Sequence, residues 1–390
     1  MSGLDIALLV VTALVAISGY IEGFILGACA TLGLLAGAAI GVYGVPRVLD
    51  NFSPSVEVSF AALVLVVLLA SIGRTIGALL GSKLRNKISW KPVKAVDALG
   101  GAVLAAASVL VVSWVLGVAV SGARIPSVTS AVRGSQVLAK VDEALPGGAD
   151  RALQAFNDVV NTDLFPRFLD PFVPERIRET QPPDGTISRN PTVRLAYTRI
   201  AKVTGVANCS RGLEGSGFVY APQRVMTNAH VVAGVSSPKV EVNGKKYDAK
   251  VVLFDSSVDI AVLYVPELKA TPLAFDNDGK ADATAVVLGY PENGPFDSEP
   301  ARIRSEERLR GPDIYGDKTV TRRAFSIWAQ VRPGNSGGPL ISAKGTVYGV
   351  VFAASVEDNR TGYVLTAEQV ADDAAAGAKA TQEVSTHSCT

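Results

Sequence analysis

The chain has 390 residues, enough for two or three domains, and its 37 basic and 36 acidic side chains leave a formal net charge of +1. That balance gives none of the broad positive field that a nucleic-acid partner would need. Hydrophobic residues make up 48% and charged residues 19%; the apolar excess crowds into roughly the first 120 positions, so a membrane part followed by a soluble part is expected.

Four apolar stretches open the chain, at about Ile6 to Tyr20, Phe24 to Tyr43, Val58 to Leu80 and Ala98 to Val120. Most approach the roughly 20 residues that cross a bilayer as helix. Four buried helices of a soluble core are the competing reading, but soluble domains seldom place so many uncharged segments in a row. The start, MSGLD, has no basic region, so a cleaved signal peptide is not expected. Lys83, Arg85, Lys87, Lys91 and Lys94 crowd the connection between the third and fourth stretches, whereas the second connection sets Arg47 against Asp50 and Glu57. Basic loops stay cytoplasmic. The chain is therefore expected to be a multi-pass protein of the cell (inner) membrane, with its N-terminus and everything after Val120 outside, in the periplasm. Arg74 lies inside the third stretch, where snorkelling toward the cytoplasmic surface explains it better than a pathway charge. Small residues in GACATLG, GVYG and LGGAVLAAAS predict close helix packing, hence a four-helix transmembrane bundle over 1–120. Cys29 falls in the second span, while Cys209 and Cys389 bracket nearly all of the soluble part. These two are predicted to form a disulfide, which the extracytoplasmic side would permit; two free thiols are the alternative.

From Ser121 to about Arg194 the chain reads as a linker. Val137, Leu138, Val141, Ala144 and Leu145 recur at helical spacing, as do Leu153, Phe156, Val159 and Val160, with Pro146, Gly147 and Gly148 between the two sets. Pro171, Pro174, Pro182, Pro183 and Pro191 then punctuate a polar stretch that is expected to be an exposed tether. After Leu195, short strands follow in series: RIAKVTGVA, GSGFVYAP, KKYDAKVVLF, DIAVLYV, ATAVVLGYP, RRAFSIWAQV and TVYGVVFAAS. The segment 195–390 is thus expected to be an all-β sandwich or paired barrels, closed by a helix from about Ala367 to Ala378.

PGNSGGP sets Ser336 among glycines, which let the backbone turn sharply and present amide groups to a developing oxyanion. A serine hydroxyl needs a base. Of the two histidines, His230 lies within TNAHVV, at a corner of the folded region, whereas His387 lies in the polar tail STHSCT and is expected to be solvent-exposed. The third member must be a carboxylate that fixes the imidazole tautomer. Asp259 opens the apolar strand DIAVLYV and fits; Asp255, ahead of two serines, competes but suits a turn.

GSGFVY, TNAHVV, DIAVL and GNSGGP, in that order, resemble the bacterial form of the chymotrypsin-like fold, over about Arg199 to Thr366. The resemblance implies a chymotrypsin-like double β-barrel with the triad His230, Asp259 and Ser336 between the barrels. It also implies an oxyanion hole from the N–H groups of Gly334 and Ser336. By the usual spacing, Gln330 lies at the base of the substrate pocket and Phe352, Ala353 and Ala354 form its wall, which suggests an uncharged or medium apolar residue before the cut. Some 24 residues follow Thr366, too few for the peptide-binding module of similar periplasmic stress proteases. Four spans ahead of such a domain resemble the colicin V production protein membrane domain fused to a trypsin-like domain in the membrane-anchored acid-resistance serine proteases of mycobacteria and other actinobacteria. That likeness implies cleavage of envelope proteins under acid or oxidative stress. Autocleavage is expected between about Gly147 and Arg194. No cofactor, metal or nucleotide site is expected, because histidines and cysteines are few and scattered. The other readings are a membrane scaffold or sensor with a catalytically silent, peptide-binding protease-like domain, or a transporter, for which the spans lack intramembrane charges and broken-helix signals apart from Arg74.

Overall fold

The computed structural model describes residues 2–49, 56–121, 126–145, 172–209 and 211–389. The helix expected around Leu153 to Val160 lies outside them. The chain divides into two compact units, Met1–Gly117 with Ser135–Ala144, and Val118–Gly134 with Leu145–Thr390, so the segment read as a linker is shared between them.

The first unit holds four long apolar helices, α1 (Gly3–Glu22), α2 (Phe24–Leu49), α3 (Val56–Arg85) and α4, which runs from Lys91 to Ser121. All four are long and apolar enough to cross a membrane. α1 starts on a reciprocal cap, the Asp5 N–H donating to Ser2 Oγ (3.1 Å) and the Ser2 N–H to Asp5 Oδ2 (2.8 Å). It stops at Gly23, whose φ of 83° only glycine adopts readily. There Asp97, buried, accepts the Ile25 N–H (2.9 Å) and pairs with Arg85 (2.9 Å), so this member of the basic loop neutralises a buried carboxylate. Close packing follows the small residues. A Cβ added to Gly33 would lie 2.2 Å from the Gly73 carbonyl oxygen, and one on Gly73 would lie equally near that of Gly33, so α2 and α3 touch backbone to backbone. In GVYG, Gly41 packs on Val66, whereas a Cβ on Gly44 would have nothing within 4 Å among the described residues.

The predicted helical spacing after Ser135 gives a short helix over Gln136–Ala144. Ser135 caps it, accepting the Leu138 N–H (3.2 Å) while donating to Asp5 (2.6 Å); Trp114 Nε1 donates to Asp142 (2.7 Å). These bonds, with buried Leu138, dock it on α1 and α4.

The second unit is built on two β-sheets. One has seven strands, β1 (Ile200–Val206), β2 (Gly212–Ala221), β3 (Arg224–Thr227), β4 (Lys239–Val242), β5 (Lys245–Asp248), β6 (Lys250–Asp255) and β7 (Ile260–Tyr264), ordered β5-β4-β1-β2-β3-β7-β6. The other is a closed six-stranded barrel of β8 (Thr284–Gly289), β9 (Asp297–Pro312), β10 (Thr319–Trp328), β11 (Pro339–Ser342), β12 (Val347–Ala354) and β13 (Thr361–Thr366), ordered β10-β13-β12-β11-β8-β9. The apolar runs of the sequence are explained by burial on both faces. Along β1 (Ile200–Val206), Ile200 faces a core shared by both sheets, and its neighbour Ala201 a core made by the seven-stranded sheet and its connections. Phe218 and Val219 of β2 (Gly212–Ala221) divide in the same way. Side chains alternate with period two, so each strand feeds both cores. A third core, with Val287, Ile303 and Leu340, fills the barrel.

The proline-punctuated stretch is not a free tether over its described part. Glu175 accepts the Tyr363 hydroxyl (2.6 Å) and the Val356 N–H (3.2 Å). Arg178 and Arg304 each donate to the other's carbonyl (2.9 and 2.7 Å), and the Thr180 hydroxyl donates to Asp282 (2.6 Å). From Pro174 to Pro183 the prolines exclude helix and sheet but leave the backbone extended, and carbonyls and side chains then strap it to the barrel, whereas Pro191 opens a short helix, Pro191–Ala196, at the first position, where its missing N–H costs nothing. Arg133, at the end of an unpredicted helix (Pro126–Arg133), adds an ion pair with Glu357 (3.0 Å).

The closing helix runs over Ala371–Lys379. Burial, then the charges of Asp255 and Asp372, push the Asp373 carboxyl up to about 6. A raised carboxyl favours the folded state in its protonated form. That stability is fully present below the ordinary value of about 3.9 and is lost as pH rises through the folded value. Asp373→Asn is therefore expected to raise the thermal midpoint at pH 8 and leave it unchanged at pH 4; an equal shift at both would remove the burial argument. Beyond the helix the tail adds to the seven-stranded sheet, the Val384 N–H donating to the Val251 carbonyl and the Gly234 N–H to that of Thr386 (both 2.9 Å). Cys389 is disulfide-bonded to Cys209, 180 positions earlier. In the chain-entropy model so long a loop contributes about 5 kcal/mol.

Candidate active site

β3 (Arg224–Thr227) runs through Asn228 into one helical turn, Ala229–Val232, and this corner carries His230. Opposite it, β6 (Lys250–Asp255) turns sharply into β7 (Ile260–Tyr264). Asp255 makes the turn, its Oδ1 accepting the N–H groups of Ser257 (2.7 Å) and Val258 (2.9 Å). Asp259 leaves the turn at φ 73°, a left-handed conformation that costs a non-glycine residue about 1–2 kcal/mol. That strain aims its side chain at the histidine. Asp259 Oδ1 accepts the backbone N–H of His230 (3.0 Å) and Oδ2 is 2.8 Å from Nδ1, while Asn228 Nδ2 holds the Asp259 carbonyl (2.8 Å).

Asp259 is fully buried. Buried Arg322 of β10 (Thr319–Trp328) donates to the carbonyls of Ser257 (2.8 Å) and Pro312 (3.0 Å). Burial lowers its guanidinium below the usual value, and the charges of Asp259, Asp313 and Asp255 oppose that shift. The cation thus offsets part of the cost of sinking carboxylates between the sheets.

Ser336 sits in the turn between β10 and β11 (Pro339–Ser342). A Cβ on Gly337, at φ 83°, would lie 2.2 Å from the Ser216 carbonyl oxygen, 2.3 Å from Thr227 Oγ1 and 3.0 Å from the Asn228 nitrogen. The serine turn therefore presses directly on the end of the strand that delivers His230. Gly215 lies between Val231 and the Ser336 carbonyl oxygen, which the Ser216 N–H holds at 2.8 Å. The Gly334 and Ser336 N–H groups have no acceptor among the described residues.

Of the expected pocket residues, Gln330 is exposed, its N–H donating to Glu299 (3.3 Å), and Ala354 is half-buried. Phe352 differs from the expected wall residue. It is fully buried in the core shared by the two sheets, the same core as Val350 two residues earlier, because alternation along the strand sends Val351 to the barrel interior and its neighbours to the opposite face. Ala353 is buried beside it. His387 is exposed in the tail, as its polar surroundings implied. Among the described residues no cluster of His, Cys, Asp or Glu could hold a metal. The residues missed from sequence are Ser216 and Arg322; Ser216 lies in GSGFVY and Arg322 opens RRAFSIWAQV, but nothing local marks the partner that either meets.

Two sequence profiles match, one described as Colicin V production protein over 4–146 and one as Trypsin-like peptidase domain over 215–350. Over 390 residues, 99% of this chain and 98% of the relative, the chain is 41% identical to the serine protease Rv3671c of Mycobacterium tuberculosis. The chain belongs to the Rv3671c family of serine proteases. The crystal structure of the Rv3671c protease in its active form superposes with a TM-score of 0.54 at 47% identity, covering 57% of this chain and 98% of the other. The Do-like protease HtrA of Bacillus subtilis is 30% identical over 161 residues, 38% of this chain and 35% of that protein. The chain is thus a serine protease, with four apolar helices ahead of a trypsin-like domain.

Proposed function

We propose that the protein is a membrane-anchored endopeptidase in which Ser336 attacks the scissile carbonyl, His230 takes the serine proton and later delivers it to the leaving amine, and Asp259 fixes the imidazole tautomer. The tetrahedral oxyanion is received by the Gly334 and Ser336 N–H groups, and water then hydrolyses the acyl-enzyme by the reverse proton path. The observation that carries this reading is the pair of bonds from Asp259 to His230 beside the Ser336 turn. Basic Lys83, Lys87, Lys91 and Lys94 in the loop between α3 and α4 favour a cytoplasmic loop, hence a protease domain outside the membrane facing envelope proteins. A role under acid or oxidative stress fits this placement. The full chain in detergent should be labelled by a fluorophosphonate, while Ser336→Ala and His230→Ala should not; label on Ser336→Ala would sink the assignment.

The enzyme's own chain is a further substrate in this reading. Cleavage needs extended backbone that can leave its surroundings, and residues 175–182 are bonded to the barrel. Cuts within the interval from Gly147 to Arg194 are therefore expected on the N-terminal side of Glu175. Prolonged incubation should shorten the wild type and leave Ser336→Ala intact; equal full length would refute autocleavage.

A further inference from the structure

The GSGFVY motif has no part in the proton chemistry, yet its serine bonds the serine turn, the strand that delivers His230 and Tyr290. Ser216, on β2, is fully buried. Its hydroxyl donates to the Gly334 carbonyl (2.6 Å) and accepts the Tyr290 N–H (2.8 Å). Its N–H donates to the Ser336 carbonyl (2.8 Å), and its own carbonyl accepts the Thr227 hydroxyl (2.7 Å), three residues before His230.

The carbonyls of the serine turn are all held. Pro333 O accepts the Glu292 N–H (2.7 Å), Gly334 O the Ser216 hydroxyl, Asn335 O the Gly338 N–H (3.0 Å) and Ser336 O the Ser216 N–H. In a planar trans peptide the C=O and N–H point in opposite directions. A bond to each carbonyl therefore also aims the N–H on the far side of the same plane. The Pro333–Gly334 and Asn335–Ser336 planes carry the two oxyanion donors, and the Gly334–Asn335 plane joins them. Its carbonyl is held by the Ser216 hydroxyl alone among the described residues, while its N–H, on Asn335, donates to the Arg332 carbonyl (3.0 Å), so the hydroxyl secures the Gly334 end of this plane. Gly334, at φ 88° and without a Cβ, gives that junction the least intrinsic resistance to rotation.

We infer that Ser216 is a positioning residue whose hydroxyl fixes the Gly334–Asn335 peptide, so that the Gly334 and Ser336 N–H groups converge on one oxyanion. A hydroxyl suits this place because it both accepts from Tyr290 and donates to Gly334; alanine leaves two buried polar groups unpaired, and the Gly334 carbonyl must rotate to find a donor. The slot is tight, since a Cβ on Gly289 would lie 2.6 Å from Ser216 Oγ. The inference rests on the oxyanion hole proposed above.

The test is saturation kinetics of fluorophosphonate labelling on the full chain, because the phosphonyl oxygen occupies the oxyanion position while fluoride leaves. Ser216→Ala is expected to lower the maximal labelling rate about 10- to 100-fold, with half-saturating probe within about twofold of wild type. A purely structural role would instead reduce the fraction of protein that can be labelled and leave the rate of that fraction alone. Should the alanine variant not fold, Ser216→Cys keeps the shape with a weaker donor, and an intermediate rate is expected. A folded variant of either kind that labels within about threefold of the wild-type rate overturns the inference while leaving the triad standing. A wild type that labels no better than Ser336→Ala overturns both.

Discussion

Asp259→Asn should lower kcat about 10⁴-fold, roughly 5.5 kcal/mol of transition-state stabilisation, with KM little changed. The substitution isolates the chemistry, since asparagine tolerates the left-handed backbone that Asp259 adopts at φ 73°. The carboxylate now accepts two N–H groups, the backbone of His230 and its Nδ1. An amide has one oxygen. If it serves the backbone N–H, its NH₂ faces Nδ1 and selects the tautomer with the proton on Nε2, which cannot take the Ser336 proton. The measurement is steady-state cleavage by the folded variant; a loss of less than about tenfold would show that Asp259 does not set the tautomer.

Gly337→Ala should destabilise the protease domain by about 3 kcal/mol or more and abolish labelling of Ser336. Two causes add. The residue would have to hold φ 83°, and its Cβ would stand 2.2 Å from the Ser216 carbonyl oxygen and 2.3 Å from Thr227 Oγ1. Neither neighbour can yield cheaply: the Thr227 hydroxyl bonds that same carbonyl, and the Ser216 N–H holds Ser336. Thermal unfolding of the full chain gives the first effect and fluorophosphonate labelling the second. An unchanged midpoint would mean that the turn relaxes away from the strand carrying His230.

Much of this site was legible because its parts are local. Gly334, Ser336 and Gly337 are read from one run of residues, and Asp255 declared itself a turn residue by the serines after it. The tether was misread for the converse reason. Pro174, Pro182 and Pro183 do exclude helix and sheet, while Pro191 starts a helix instead, and the partners that hold the stretch, Tyr363, Arg304 and Asp282, lie more than 100 positions away, where no local pattern encodes them. Phe352 shares a face with Val350 by plain alternation, but only the packing of the second sheet against that face shows that it is core.

The sequence alone determined four apolar helices, a β-rich second half and the residue types that the chemistry requires, since hydropathy, strand period and turn chemistry act over a few neighbours. The tertiary structure decided which polar groups meet. Arg322 reaches the Asp259 loop, Ser216 joins the serine turn to Tyr290, and Asp5 finds Ser135. Each of these is a buried group whose desolvation must be offset by a partner distant in the chain, and only the folded packing can supply that partner.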